Sequence, residues 1–167
     1  PAQRQTTRIT NENIREFVRN YISDNIGNLP ADLMVIPIGD WDVSRVTNMS
    51  NLFAVSGTFN QPLNNWNVSN VTSMVGMFYN SLFNQDISNW DVSNVENFYG
   101  MFWDSDFNQP INNWDVSNVL NMDQMFMNNT TFNQDLSRWC VLNNPSHVDF
   151  DTGATSWVLP NSRPVWG

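Results

Sequence analysis

Five tryptophans at almost constant spacing constrain this chain more than any other feature. Trp41, Trp66, Trp90, Trp114 and Trp139 lie 25, 24, 24 and 25 residues apart. Other columns keep the same register. An aliphatic stands three residues before each (Ile38, Leu63, Ile87, Ile111, Leu136), and a valine two after (Val43, Val68, Val92, Val116, Val141). Val46, Val71, Val95 and Val119 come five after, and Met49, Met74, Phe98 and Met122 eight after. Apolar pairs follow at Leu52-Phe53, Met77-Phe78, Met101-Phe102 and Met125-Phe126, and a Phe-Asn-Gln triplet closes each unit at 59–61, 83–85, 107–109 and 132–134. Agreement in so many columns requires repeated structural units, each burying its apolar face against the next.

A period of this length lies in the range of leucine-rich-repeat solenoids. Asn89-Trp90-Asp91-Val92-Ser93 alternates polar and apolar, which predicts a half-buried strand; from Val95 the apolar spacing of three to four (Val95, Phe98, Met101, Phe102) predicts a helical turn. Ser93 with Glu96 reads as a capping box, and Ser44, Ser69 and Ser117 share that column. The expected fold is therefore an α/β repeat. It is a short leucine-rich-repeat-like solenoid of about five coils, each with one short parallel strand and one short helix or 3₁₀ turn.

Both ends of such a stack need covers. Residues 9–37 read as a helical N-terminal cap: Thr10 is the N-cap, Ile9 and Ile14 form a staple, and Ile14, Phe17, Val18, Tyr21 and Ile22 make the apolar stripe. The repeats occupy 38–142. Residues 143–167 form an irregular C-terminal cap, with Phe150, Trp157, Val158, Val165 and Trp166 folding over the last coil, Pro145 blocking its helix and His147 a cap residue. Residues 1–8 read as a disordered tail. The start at Pro1 suggests a processed N-terminus, and no signal peptide remains.

Composition narrows the function classes. All seven basic residues are Arg, and there is one His and one Cys. A Schiff-base or phosphate-loop lysine, a Cys/His metal cluster and an internal disulfide are thus ruled out. A net charge of -9 argues against nucleic acid or an anionic membrane surface. No apolar run approaches a membrane span, so direct membrane insertion is not expected. Asn, with 28 copies, dominates the polar residues.

Phe83-Asn84-Gln85-Asp86-Ile87-Ser88-Asn89-Trp90-Asp91-Val92-Ser93-Asn94-Val95 and Val46-Thr47-Asn48-Met49-Ser50 resemble the repeats of the BspA-type surface proteins, a divergent leucine-rich-repeat family. Ile38-Gly39-Asp40-Trp41-Asp42-Val43-Ser44 is similar to the end of that family's helical cap, and Trp139-Cys140-Val141 to its closing coil. The resemblance covers about residues 9–166. It implies an extracellular or cell-surface adhesin that binds host or matrix proteins, with relatives among large DNA viruses and no catalytic residues. It also implies that Cys140 pairs with a second cysteine beyond a Trp-Gly such as Trp166-Gly167; a free thiol is the alternative.

Several residues invite a sharper reading. The tryptophan column (Trp41, Trp66, Trp90, Trp114, Trp139) reads as core rather than sugar platforms. The asparagines after Phe (Asn60, Asn84, Asn108, Asn133) and after Val-Ser (Asn70, Asn94, Asn118) read as inward ladders serving turn groups. Asp42, Asp91 and Asp115, with Asn67 between the first two, form an outward row about 5 Å apart; that separation suits two glycosidase carboxylates but is imposed by the repeat itself. The Asp-x-Asp pairs 40/42, 104/106 and 149/151 offer oxygen ligands for calcium without the full EF-hand spacing, so no cofactor is expected beyond that candidate. Sequons at Asn48, Asn67, Asn70, Asn128 and Asn129 follow from asparagine abundance.

The loops after the apolar pair vary most, which makes Tyr79, Trp103, Asp104, Asp106 and Met127 the candidate binding residues, against the monotonous face of Asp91 and Asp115. The expected function is a non-catalytic surface module for adhesion or protein–protein binding, facing a host, matrix or neighbouring shell protein. The alternatives are a structural component of a virion or surface shell, and a glycan-binding module.

Overall fold

Turns, rather than strands, bring the apolar columns inward. In the computed structural model, which describes residues 4–166, the tryptophan N–H closes a β-turn onto the aliphatic three residues back: Trp66 to Leu63, Trp90 to Ile87, Trp114 to Ile111, at 3.0–3.1 Å. The next turn closes from Val71 to Val68, Val95 to Val92 and Val119 to Val116, at 2.9–3.1 Å. Further turns run from Met77 to Met74 and from Tyr79 to Gly76, with counterparts in the neighbouring repeats. Consecutive repeats then stack through isolated parallel bridges joining Asn48, Ser73, Asn97, Asn121 and Ser146 in series, with a second bridge from Gly57 to Ser81.

This overturns the expected strand-and-helix solenoid. Among the described residues no sheet forms, and the α-helix is α1, Ile14–Ile22, with short 3₁₀ turns at Ile26–Asn28 and Ile38–Asp40. The segment Asn89–Ser93, expected as a strand, lies between two hydrogen-bonded turns. Trp90 and Val92 point inward there because turns, like pleats, can alternate sides. The helix expected from Val95 is broken by backbone geometry. Asn51, Gly76, Gly100, Gln124 and Asp149 occupy one column at φ 54–58°, and Val55, Asn80, Asp104 and Asn128 a second at 48–54°. Two left-handed residues four apart forbid a right-handed helix. Ser93 caps no helix either; its N–H and hydroxyl donate to Asp91 at 3.1 and 2.6 Å.

The interior is filled by aromatic files. Phe53, Phe78, Phe102 and Phe126 stack at 5.4–5.9 Å between ring centroids, and Phe59, Phe83, Phe107 and Phe132 at 6.2–6.4 Å. Trp41, Trp66, Trp90, Trp114 and Trp139 are 1–4% exposed. Each later indole N–H reaches the preceding repeat: Trp66 to Ile38, Trp90 to Leu63, Trp114 to Ile87 and Trp139 to Ile111, at 2.7–3.2 Å. The column thus supplies apolar mass and a hydrogen-bonded seam.

At the N-terminal end α1 buries Ile14 and Val18, with Phe17, Tyr21 and Ile22 packed beside them. Asn13 holds the N-cap position expected for Thr10, whose carbonyl instead closes the preceding turn. The tail expected to be disordered is tied down from Gln5. Asp32 accepts the Thr6 and Thr7 N–H groups at 2.7 Å and the Thr7 hydroxyl at 2.6 Å, and Gln5 accepts the Asp42 N–H at 2.7 Å. Partial burial pushes the Asp32 carboxyl up, but the Thr7 hydroxyl and the Thr7 and Thr6 amides outweigh it and hold the group well below its ordinary range. Residues 1–3 lie outside the described residues.

At the C-terminal end the stack runs past the expected limit at 142. Met122, Gln124, Phe126 and Asn128 donate to Ser146, Val148, Phe150 and Thr152 at 2.7–2.9 Å, completing another coil. Trp157 packs edge-on against Phe126 and Phe132, and Trp166 stacks on His147 at 4.1 Å. Val158 and Val165, expected to cover this end, are 73% and 77% exposed.

Candidate interaction surface

Most repeated polar side chains are committed to holding the coils. In the outward row, Asp42, Asn67, Asp91 and Asp115 each use Oδ1 to accept the N–H of the serine two residues on, at 3.0–3.1 Å. The serine hydroxyl adds a 2.6 Å bond at Asp42, Asn67 and Asp91. These are Asx turns, in which a short side-chain oxygen replaces a backbone acceptor. The Ser44 hydroxyl and N–H hold the Asp42 carboxyl below its ordinary value, and Ser117 does the same to Asp115. Asp86 is lowered by Ser88 in a like turn. Cys140 continues the row as an exposed free thiol, followed two residues later by exposed Leu142 instead of serine.

The asparagine ladders run at the rim of the stack rather than inside it. Asn60, Asn84 and Asn108 each accept, through Oδ1, the N–H of the equivalent asparagine in the next coil at 2.8–2.9 Å. Asn70, Asn94 and Asn118 donate back to Ser44, Ser69 and Ser93 at 2.7–2.8 Å. The buried amide is Asn129, read in the sequence only as a sequon. Its Nδ2 donates to Phe107 at 3.0 Å and its Oδ1 accepts from Thr131 and Phe132.

The turn face differs. Tyr79, Trp103 and Met127 follow one another along a single column, since Asn80 donates to the Trp103 carbonyl and Asp104 to the Met127 carbonyl, both at 2.9 Å. All three are half-buried, and the Tyr79 and Trp103 rings lie 5.0 Å apart at 53°. The Trp103 indole Nε1 is buried with no hydrogen-bond partner, unlike those of the core tryptophans. Asp104 and Asp106, one and three residues further on, are exposed, Asp104 in a left-handed turn at φ 53°. The structure thus brings Tyr79, Trp103, Met127 and Asp104 to one stripe and leaves Asp91 and Asp115 in the Asx row.

The Asp-x-Asp pairs are partly engaged: Asp40 accepts from Asn65 at 2.8 Å, Asp149 from Thr152 at 3.1 Å, and Asp151 pairs with Arg163 at 2.8 Å. Among the described residues no group of three or more His, Cys, Asp or Glu gathers around one point. Among the described residues no helix is long and apolar enough to cross a membrane.

Comparison with known families matches the chain to a family described as "Mycoplasma protein of unknown function, DUF285", over residues 26–139 and again over 104–150. No curated protein and no solved structure matches.

Proposed function

The chain belongs to that family, and we propose that it is a surface-exposed recognition module, without catalytic activity, that binds a protein partner through the turn-face stripe of Tyr79, Trp103 and Met127. One contrast carries the reading. The repeated columns spend their polar groups on stacking, whereas this stripe holds large, half-exposed side chains that form no ladder. Half-buried aromatic and methionine side chains in a row are the composition of binding hot spots. Asp104 and Asp106, exposed and close to Trp103 in the chain, favour a basic side chain, which an indole face and carboxylates can hold together. The resemblance of the repeats to BspA-type surface proteins supports placing this module outside the cell.

The test is surface plasmon resonance against a panel of purified extracellular-matrix proteins. Trp103→Ala is expected to weaken a specific interaction at least ten-fold, as hot-spot truncations do, while thermal stability stays close to that of the parent. Asp91→Asn with Asp115→Asn is expected to leave affinity within about two-fold. Loss of binding on the aspartate pair with none on Trp103→Ala would assign function to the opposite row and overturn the proposal.

A further inference from the structure

We infer that the groove between the C-terminal half of α1 and the first coil binds an extended acidic peptide segment, a site separate from the turn-face stripe. Each inner coil has its row of carbonyls filled by the coil before it. Ser73, Val75, Met77 and Tyr79 accept from Met49, Asn51, Phe53 and Val55 at 2.7–2.9 Å, and Asn97, Tyr99, Met101 and Trp103 accept from Met74, Gly76, Phe78 and Asn80 at 2.8–3.0 Å. The corresponding carbonyls of the first coil belong to Asn48, Ser50, Leu52 and Ala54. Here α1 stands in for a missing coil, with the Arg15 guanidinium donating to the Ser50 carbonyl. That substitution ends at Ser50. Among the described residues nothing donates to the carbonyls of Leu52 and Ala54.

Those two residues line a groove of about 310 Å³ together with Arg15, Arg19, Ile22 and Ser56. The Ser56 hydroxyl is buried without a partner. Arg19 makes no ion pair, the one formed among the described residues being Arg163 with Asp151. In the inner coils these alternate carbonyls accept from alternate N–H groups of the preceding coil, and a peptide segment that presents alternate N–H groups can add to the end of the stack in the same way. A guanidinium alongside favours a carboxylate on that chain. Charge placement points the same way: Arg15 and Arg19 are the charged residues that line the groove, and no Asp or Glu lines it.

The experiment titrates the ¹⁵N-labelled protein with a blocked Thr-Val-Asp-Val-Thr peptide and its Asn counterpart at low salt, following amide shifts. Shifts confined to residues 19–23 and 50–56 are expected. The Asn peptide, and the Arg19→Gln variant with the Asp peptide, should each bind about five-fold more weakly, the effect of one exposed ion pair. No shifts at millimolar peptide, shifts centred elsewhere, or equal binding of the two peptides would overturn the site. The peptide comparison stands even if Arg19→Gln perturbs α1.

Discussion

At the scale of single residues, this molecule rests on side chains that do two jobs. Trp90 fills the interior and also donates from Nε1 to the Leu63 carbonyl at 3.0 Å, joining two coils. Trp90→Ala should cost about 3–5 kcal/mol in chemical denaturation. Trp90→Phe separates the two roles, keeping most of the apolar volume while removing only the indole bond; the Leu63 carbonyl keeps the Trp66 N–H, so the change should cost about 0.5–1.5 kcal/mol. If the two substitutions cost the same, the indole hydrogen bond carries the whole effect. The Asx carboxylates make a second prediction. Asp42, Asp86 and Asp115 are depressed mainly by the hydroxyl and then the N–H of the following serine. A folded-state value below the unfolded one means that the folded protein binds fewer protons, so the contribution is complete above the unfolded carboxylate range near about 3.9 and lost as pH falls through the lower folded values. Thermal melts should be flat above about pH 5 and drop below pH 4. Asp86→Asn with Asp115→Asn should keep the turns and make that acid limb shallower, in part only because Asp32 and Asp42 stay depressed; an unchanged limb would place the sensitivity elsewhere.

At the scale of elements, an apolar spacing of three has two structural meanings. A helix places residues three and four apart on one face, and a chain of β-turns also returns an inward side chain every third residue. Val95, Phe98 and Met101 fit both, which is why a helix was expected where turns occur. The deciding signal was in the sequence but not in the apolar columns. Asn51, Gly76 and Gly100 form one column, and Asn80, Asp104, Asn128 and Gly153 another, all at positive φ. Repeated Gly, Asn and Asp at fixed register mark left-handed turns. Likewise Asp-x-Ser at 42–44, 91–93 and 115–117 spells an Asx turn, yet read alone each aspartate looks like a free outward carboxylate. Register and the inward columns were therefore legible, whereas element type was not. The turn-face stripe was legible through its variety. The groove beside α1 was not, because it depends on where the helix stops covering the first coil. The left-handed column yields a direct check. A Cβ at Gly100 would meet Trp103 Cε3 at 3.5 Å, ordinary contact, so only backbone strain opposes substitution. Gly100→Asn should be tolerated, as Asn51 is in the same column, while Gly100→Val should cost about 1–2 kcal/mol in urea unfolding. Equal losses would indicate that the turn tolerates any side chain.

At the scale of the whole molecule, cohesion is passed from coil to coil. The amides of Phe98, Gly100 and Phe102 donate onward to Asn121, Asp123 and Met125, and their coil accepts from Met74, Gly76 and Phe78. That central coil is held on both sides by backbone bonds and by stacked Phe rings. The first coil has such bonds on one side only; on its other side the Asn11 side chain accepts the Thr47 and Asn48 N–H groups, Arg15 donates to the Ser50 carbonyl and Gln5 accepts the Asp42 N–H, while the groove at Leu52 and Ala54 stays open. The last coil is covered by Trp157 and Trp166 with few backbone bonds. In a stack whose stability is the sum of unit and neighbour terms, opening should therefore start at the ends and reach the centre only through global unfolding. Native-state hydrogen exchange is the measurement. Phe98, Gly100 and Phe102 amides should exchange at the global free energy, while Phe53 and Val55 near the groove, and Asn128 at the far end, should exchange through smaller openings with a weaker denaturant dependence. A peptide bound in the groove should slow Phe53 and Val55 without altering Phe98. Uniform protection from Met49 to Asn128 would mean that caps and coils unfold as one unit, and that the covers bind the ends as firmly as another coil would.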